Sequence, residues 1–331
     1  MELRRSGLRA GVYVDVENTT RNGGRGLRFD VLRDFACRDG ADALRLNAYL
    51  AYDAERARHD PYYRNNAMSF HFAMRSVGFK VIEKSVQWFT NEDGVRVSKA
   101  NSDLDLAVDM LLQSARLDRV VLVSGDGDFV QVVRALQNNG CRVELVAFQS
   151  VSYDLRCEAD LFVSGFLIPG LLPQPAPEGR DRRPRWGELG SRVRGTCRHY
   201  NAERGFGFLR YMVSTDNLTA GDPSAPDSPY RDAFFHFSAM PAGLDRGQLP
   251  NRDMIFEFTL VPSQQDPGKM AASDVALVYD YADRRMPLPS DRDRGESRAA
   301  ERESRSPVLL ERFTPGPAAE RYDEDEGEED E

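Results

Sequence analysis

The chain has 331 residues, 41% of them hydrophobic, which suits about two domains of ordinary size and excludes a single small core. Its formal net charge of −9 is concentrated in Asp323–Glu331, nine residues with eight acids and no base, so overall acidity does not exclude a nucleic-acid partner. Cys37, Cys141, Cys157 and Cys197 lie far apart with no CxxC spacing, which fits reduced thiols in a cytoplasmic setting better than a disulfide framework or a zinc site, and the apolar run Val12 to Val16 is too short for a signal peptide or a membrane span.

In chain order, β-branched runs predict strands at Val12 to Val16, Leu44 to Leu50, Phe79 to Ile82, Val120 to Val123 and Val143 to Phe148. Segments of helical character fall between them, roughly Phe29 to Arg38, Tyr62 to Val77, Ser102 to Arg116, Phe129 to Asn139 and Ser152 to Ala159, with Gly40, Gly78 and Gly140 where helices should stop. That alternation predicts an α/β unit, a Rossmann-like parallel sheet with helices on both faces, over residues 10–168. A Pro- and Arg-rich linker is expected over 169–191. Eight Arg against three acids between Arg180 and Arg204 would attract phosphates. Short strands return over 192–279, and a disordered, charged tail is expected over 280–331.

In an open α/β sheet the crevice lies at the carboxyl ends of the strands, so charge placed just after a strand is a candidate site. Three segments supply it. "GVYVDVENTTRN" puts Asp15 after a strand with Glu17 and Asn18 close behind, and "VLVSGDGDF" puts Asp126 and Asp128 into the turn that follows another. In the helix "NSDLDLAVDMLLQSAR", a step of about 100° per residue sets Asp103 at the edge of the face carrying Leu106, Ala107, Met110 and Leu111. Asp105 and Asp109 fall on the far side as a solvated pair. Carboxylates that converge on one mouth repel unless a cation sits among them, and a hard ion such as Mg²⁺ or Mn²⁺ takes such oxygen ligands. Asp128 could equally be a second ligand or the cap of the helix after it.

These blocks, "VYVDVEN", "SDLDLAVDM" and "VLVSGDGDFVQVVRALQNNGCRVELVAF", resemble those of NYN domains of the LabA-like type, within the PIN-like nucleases. The resemblance covers about residues 10 to 166. It implies a metal-dependent ribonuclease site in which Asp15, Asp103 and Asp126 are metal ligands, Asn18 neighbours the first of them, and Asp128 joins the catalytic set. Lys99 stands one position farther from the helix Asp than in the family.

The second half reads separately. "GTCRHYNAERGFGFLRY" and "DAFFHFSAM" put Tyr200, Phe206, Phe208, Phe234, His236 and Phe237 on neighbouring strands, with Arg198 and Arg204 beside them. Alternation sets Phe206 and Phe208 on one face, and Phe234 and His236 opposite Phe235 and Phe237. Exposed rings on a strand face stack unpaired bases, and the arginines suit a phosphate backbone. The segment resembles a cold-shock domain, an OB-fold barrel, with "RGFGFL" and "FFHF" as its two RNA-binding motifs. His199 stands where that family has a stacking Trp, and a long insertion separates the motifs.

Together these readings predict a Mg²⁺- or Mn²⁺-dependent endoribonuclease acting on single-stranded RNA, with DNA possible and no membrane partner. An RNA-binding protein with a degenerate nuclease-like domain is the alternative. A third reading is a haloacid-dehalogenase-type phosphatase, which needs a second acid two residues after its nucleophilic Asp, where this chain has Glu17.

Overall fold

The computed structural model describes residues 7–90, 96–99, 102–174, 184–219, 225–263 and 268–282. The tail beyond 282, residues 175–183 of the Pro- and Arg-rich stretch, and the side chain of Lys99 lie outside the described residues.

The α/β half begins with β1 (Arg9–Asp15), α1 (Val16–Arg21), α2 (Phe29–Ala36) and β2 (Asp42–Tyr52). It continues with α3 (Ala54–His59), α4 (Pro61–Ser76), β3 (Lys80–Ser85) and a hairpin of β4 (Gln87–Thr90) and β5 (Arg96–Lys99). Next come α5 (Asp103–Gln113), β6 (Arg119–Val123), α6 (Val130–Asn138), β7 (Arg142–Ala147), α7 (Tyr153–Glu158) and β8 (Leu161–Ser164). The five predicted strands are all present. The hairpin, the short helices α1 and α3, and the four-residue β8 are additions.

Strand β1 has no polar side chain between its ends, and it is buried on both faces, with Val12 and Val14 in one core and Tyr13 in the other. Such a strand belongs at the centre of a helix-covered sheet. All six strands run parallel in the order β3-β2-β1-β6-β7-β8. Helices α2 and α4 cover one face through Phe29, Leu32 and Met74, and α5 and α6 cover the other through Leu106, Met110, Val133 and Leu136. Gly78 and Gly140, after α4 and α6, adopt φ of +96° and +85°, the left-handed turn that ends a helix. Helix α5 is apolar nearly all round. Leu111, expected to face inward, is 38% exposed because Leu106 and Met110 take up the core side. No helix among the described residues is long and apolar enough to cross a membrane.

The second half is a closed five-stranded barrel: β9 (Arg192–Asn201), β10 (Phe206–Met212), β11 (Tyr230–His236), β12 (Asn251–Pro262) and β13 (Met270–Asp280). Its order is β10-β11-β13-β12-β9, closed by β9 against β10, with every pair antiparallel except β11 and β13. The second half is thus a small all-β unit with its own sheet.

The barrel is not merely tethered. Over β7 and β8 the core on the α2 and α4 face is completed by Phe166, Ile168 and Leu171, and by Met212, Ile255 and Tyr279 from the barrel. The Tyr281 hydroxyl meets Ser164 Oγ at 2.9 Å and the carbonyl of Phe148, and Arg156 pairs with Asp253. Deeper in this face, fully buried Glu144 receives Arg38 at 2.5 Å, Arg142 at 3.0 Å and Arg119 at 3.4 Å. Arg119 also pairs with Asp39 at 3.2 Å, and Asp39 accepts the amide of Asn217, in the insertion between β10 and β11, at 2.9 Å. The linker stretch is itself partly packed. Leu171 is buried with its carbonyl on the amide of Arg28 at 2.9 Å, and Trp186 donates its indole N–H to the carbonyl of Met212 at 2.6 Å.

Candidate functional site

From β1 the chain steps outward through β2 to β3 and then crosses back to β6 on the other side of β1, so the strand order reverses between β1 and β6 and a crevice opens at their carboxyl ends. Asp15 is the last residue of β1 and only 3% exposed. Its Oδ1 accepts the amide of Asn18 at 2.9 Å, which caps α1 and explains why Val16, predicted as strand, begins a helix instead. Its Oδ2 accepts the Ser124 hydroxyl at 3.3 Å. Ser124 Oγ in turn accepts the amide of Asp126 at 3.2 Å, and Asn18 Oδ1 accepts the amide of Gly125 at 2.9 Å. Side chains from one strand end thus hold the backbone of the other.

Asp126 is half-buried, and its Oδ1 accepts the amide of Asp128 at 3.0 Å, capping a short turn over Gly127–Phe129. The cap is therefore Asp126. Asp128 lies inside that turn and is exposed, and α6 starts after Phe129 with no side-chain cap. Asp103 opens α5 and is half-buried. Asp105 and Asp109 are not a solvated pair. Lys84 reaches Asp105 at 2.7 Å, and the Tyr49 hydroxyl donates to Asp109 at 2.7 Å.

Electrostatics tie these carboxyls into one group. Burial pushes Asp15 up to about 6, and the charge of Asp103 adds to it. Burial also raises Asp103, with Asp126 and then Asp128 contributing as like charges. Glu17 joins the group, raised by burial and by Asp103 although Arg21 stands 3.2 Å away. From the sequence, Glu17 stands only close behind Asp15. Its place follows from the capping of α1 immediately after Asp15, which sets Glu17 in the first turn beside the mouth.

Among the described residues no salt bridge reaches Asp15, Asp103, Asp126 or Asp128. The donor set is all carboxylate oxygen, desolvated and mutually repelling, which fits a hard divalent ion in kind. Yet among the described residues no three His, Cys, Asp or Glu stand together as a ready-made metal cage. An ion here would rest on one or two carboxylates with waters, the mode Mg²⁺ favours.

Residues 9–169 match the family model of the NYN domain. The three acidic blocks all lie inside the matched span. Within it the chain is similar to the Low amplitude and bright protein LabA of Synechococcus elongatus, 30% identical over 97 residues, which are 28% of this chain and 52% of that protein. The chain thus spans about half the length of this curated relative. A solved structure of a protein of unknown function from Vibrio parahaemolyticus is also similar, at 25% identity and a TM-score of 0.40, covering 49% of this chain and 96% of that one.

Beyond the α/β half, the barrel gathers aromatic side chains on its outer face. Phe206 and Phe208 on β10 meet Phe234 on β11, with ring centroids 5.8 and 6.0 Å apart, and His199 lies 6.3 Å from Phe208. All three Phe are half-buried, while His199, Arg204 and His236 are exposed. Phe235 points inward and is buried, as alternation requires. Tyr200 and Phe237 are not part of this platform. Tyr200 is buried and stacks on Phe235 at 6.0 Å, and Phe237 is half-buried beneath the guanidinium of Arg246 at 4.7 Å. On the same ribbon face Arg210 pairs with Asp232 at 2.8 Å. Nearby, burial and then the like charges of Arg252 and Arg210 lower Arg198, a crowding of cations that an anion would relieve. At the far end of that face Met212 and Tyr230 pack into the core shared with the α/β half. Four residues of strand, roughly 13 Å, separate Phe208 from the junction.

Proposed function

We propose that this protein is a divalent-metal-dependent ribonuclease for single-stranded RNA, with the crevice of Asp15, Asp103 and Asp126 as its hydrolytic site and the barrel as its RNA-holding surface, over domains 10–168 and 192–279. The observation that carries the reading is the buried Asp15 carboxyl, pushed up to about 6 at a switch-point crevice among carboxyls that raise one another. The match to the NYN domain supports a nuclease-like or RNA-related role for this half. A bound Mg²⁺ or Mn²⁺ supplies a lowered pKa for its water and charge stabilisation of a leaving oxyanion. One or two of Asp15, Asp103 and Asp126 would hold such an ion directly and the rest through its waters, and Asp128, exposed beside them, is free to orient a nucleophilic water. Ser124 and Asn18 hold the two strand ends at a fixed spacing. Incubation with Mn²⁺ should cleave end-labelled single-stranded RNA, chelation should stop the reaction, and Asp126→Asn, which keeps the cap of the turn, should abolish it while RNA still shifts on a gel.

The lack of a three-ligand cluster favours one second reading, an RNA-binding protein whose nuclease-like domain does not turn over. Binding without any cleavage in Mn²⁺ would establish it.

Both readings use the platform. A base stacked on an aromatic ring contributes roughly 1–3 kcal/mol. Phe208→Ala or Phe234→Ala should therefore weaken binding of a single-stranded oligonucleotide by roughly 5- to 100-fold, read by fluorescence anisotropy at fixed salt. Unchanged affinity in both variants would remove the platform from the RNA path.

A further inference from the structure

We infer that Tyr279, a residue of the barrel, is a positioning residue for the acidic crevice of the α/β half. The inference rests on the nuclease reading for its kinetic part only. Tyr279 is the next-to-last residue of the final barrel strand and is buried between the two halves, its ring 4.9 Å from Tyr281 edge-on and 6.4 Å from Phe166. Its hydroxyl oxygen accepts the backbone amide of Ser150 at 3.0 Å.

Ser150 is an unusual place to hold a loop. Its φ is +52°, in the left-handed region that a serine seldom occupies, so its amide direction must be fixed by partners outside its own conformational preference. One partner is Tyr279. On the other side of the loop, a β-carbon at Gly125 would stand 3.1 Å from the Ser150 carbonyl oxygen and 3.2 Å from Val151 Cα, so the two backbones lie in direct contact. The amide of Ser152 donates to the carbonyl of Gly125 at 2.9 Å. Gly125 sits between Ser124, which donates to Asp15, and Asp126, and its own amide is held by Asn18. A continuous path of hydrogen bonds and backbone contact therefore runs from the barrel phenol through Ser150 to the turn that carries Asp126 and faces Asp15.

The barrel has a second tyrosine that serves as an internal control. Tyr281 also reaches across the junction, donating to the carbonyl of Phe148, two residues before Ser150, with the Ser164 hydroxyl at 2.9 Å as its second partner, and it makes no hydrogen bond to Ser150 itself among the described residues. Tyr279→Phe and Tyr281→Phe each remove one interdomain hydroxyl and keep the ring. If Tyr279 positions the crevice, Tyr279→Phe in the full chain should lower kcat for Mn²⁺-dependent RNA cleavage roughly tenfold and leave KM unchanged, because the platform is untouched. Amide hydrogen exchange at Gly125 and Ser152 should accelerate by a similar factor. Tyr281→Phe, whose hydroxyl holds Phe148 and not Ser150, should change both quantities far less. Exchange at Gly125 and Ser152 that stays within about twofold of wild type in Tyr279→Phe, or that accelerates equally in Tyr281→Phe, overturns the inference. The exchange arm decides this even if the wild-type protein cleaves nothing, an outcome that removes the nuclease reading alone.

Discussion

Replacing Asp15 with Asn is expected to stabilise the metal-free protein and, on the proposed nuclease reading, to abolish divalent-dependent cleavage in the same step. Asp15 titrates at about 6 in the fold against an ordinary 3.8, because burial disfavours its ionised form and Asp103 repels it. The native state therefore binds this proton more tightly than the unfolded chain. Below about pH 4 both states are protonated and nothing is lost; as pH rises from 4 to 6 stability falls, and above 6 the full cost remains. A shift of about two units corresponds to at most about 3 kcal/mol. Asn keeps an acceptor for the Asn18 amide but carries no charge, so we expect a gain of about 1–2 kcal/mol at pH 7, or a thermal midpoint higher by roughly 2–8 °C. At pH 4 wild type and variant should melt together. Mn²⁺ should raise the wild-type midpoint at pH 7 more than at pH 5, since the ion competes with the proton, and should do much less for the variant. Cleavage should fall by about a hundredfold or more. A variant that melts lower than wild type at pH 7 without metal would show that Asp15 is held by its hydrogen bonds as a structural cap and not as a charge awaiting a cation.

Much of this crevice is legible in the sequence because its signals are local. An apolar run followed at once by Asp, as at Asp15 and Asp126, is read from period and turn chemistry within a few residues. The same locality leaves the cap open, since Asp126 and Asp128 are two residues apart and only the backbone path shows which one accepts the other's amide. Glu17 and Ser124 escaped because their roles depend on α1 starting without a spacer and on two strands lying side by side. Strand β8 is four residues long and α1 six, too short for a periodic pattern to stand out. In the barrel, alternation correctly separated Phe234 from Phe235, but Tyr200 and Phe237 lie where the strand ends or curls, and there period two no longer tells inside from outside. The junction was invisible for a different reason. Met212, Ile255 and Tyr279 read as ordinary apolar strand residues, and nothing along the chain says that they fill the core of another unit.

That junction sets the second large expectation: a chain ending at residue 174, before the barrel, should fail to reach a stable fold. The truncation strips Met212, Ile255, Tyr279 and Tyr281 from a face where they complete the core over β7 and β8. Burial of each large apolar side chain contributes about 1.5–3 kcal/mol, so the loss is roughly 6–12 kcal/mol, comparable to the whole stability of a typical domain. The cluster of Glu144 with Arg38, Arg119 and Arg142 would lose its cover at the same time, and Asp39 its contact with Asn217. The intact protein, in contrast, should unfold in urea in one transition, with circular dichroism and tryptophan fluorescence tracing the same curve. Trp186 reports the barrel side, where its indole is bonded to Met212. Two separated transitions, or a truncated chain that is soluble and melts cooperatively, would mean that the halves are independent units in contact. A single transition means that the aromatic platform stands at a fixed place relative to the Asp15 crevice, so on the proposed reading the route from one to the other is set by the packing of Met212, Tyr230 and Tyr279 and not by the length of the Pro- and Arg-rich stretch.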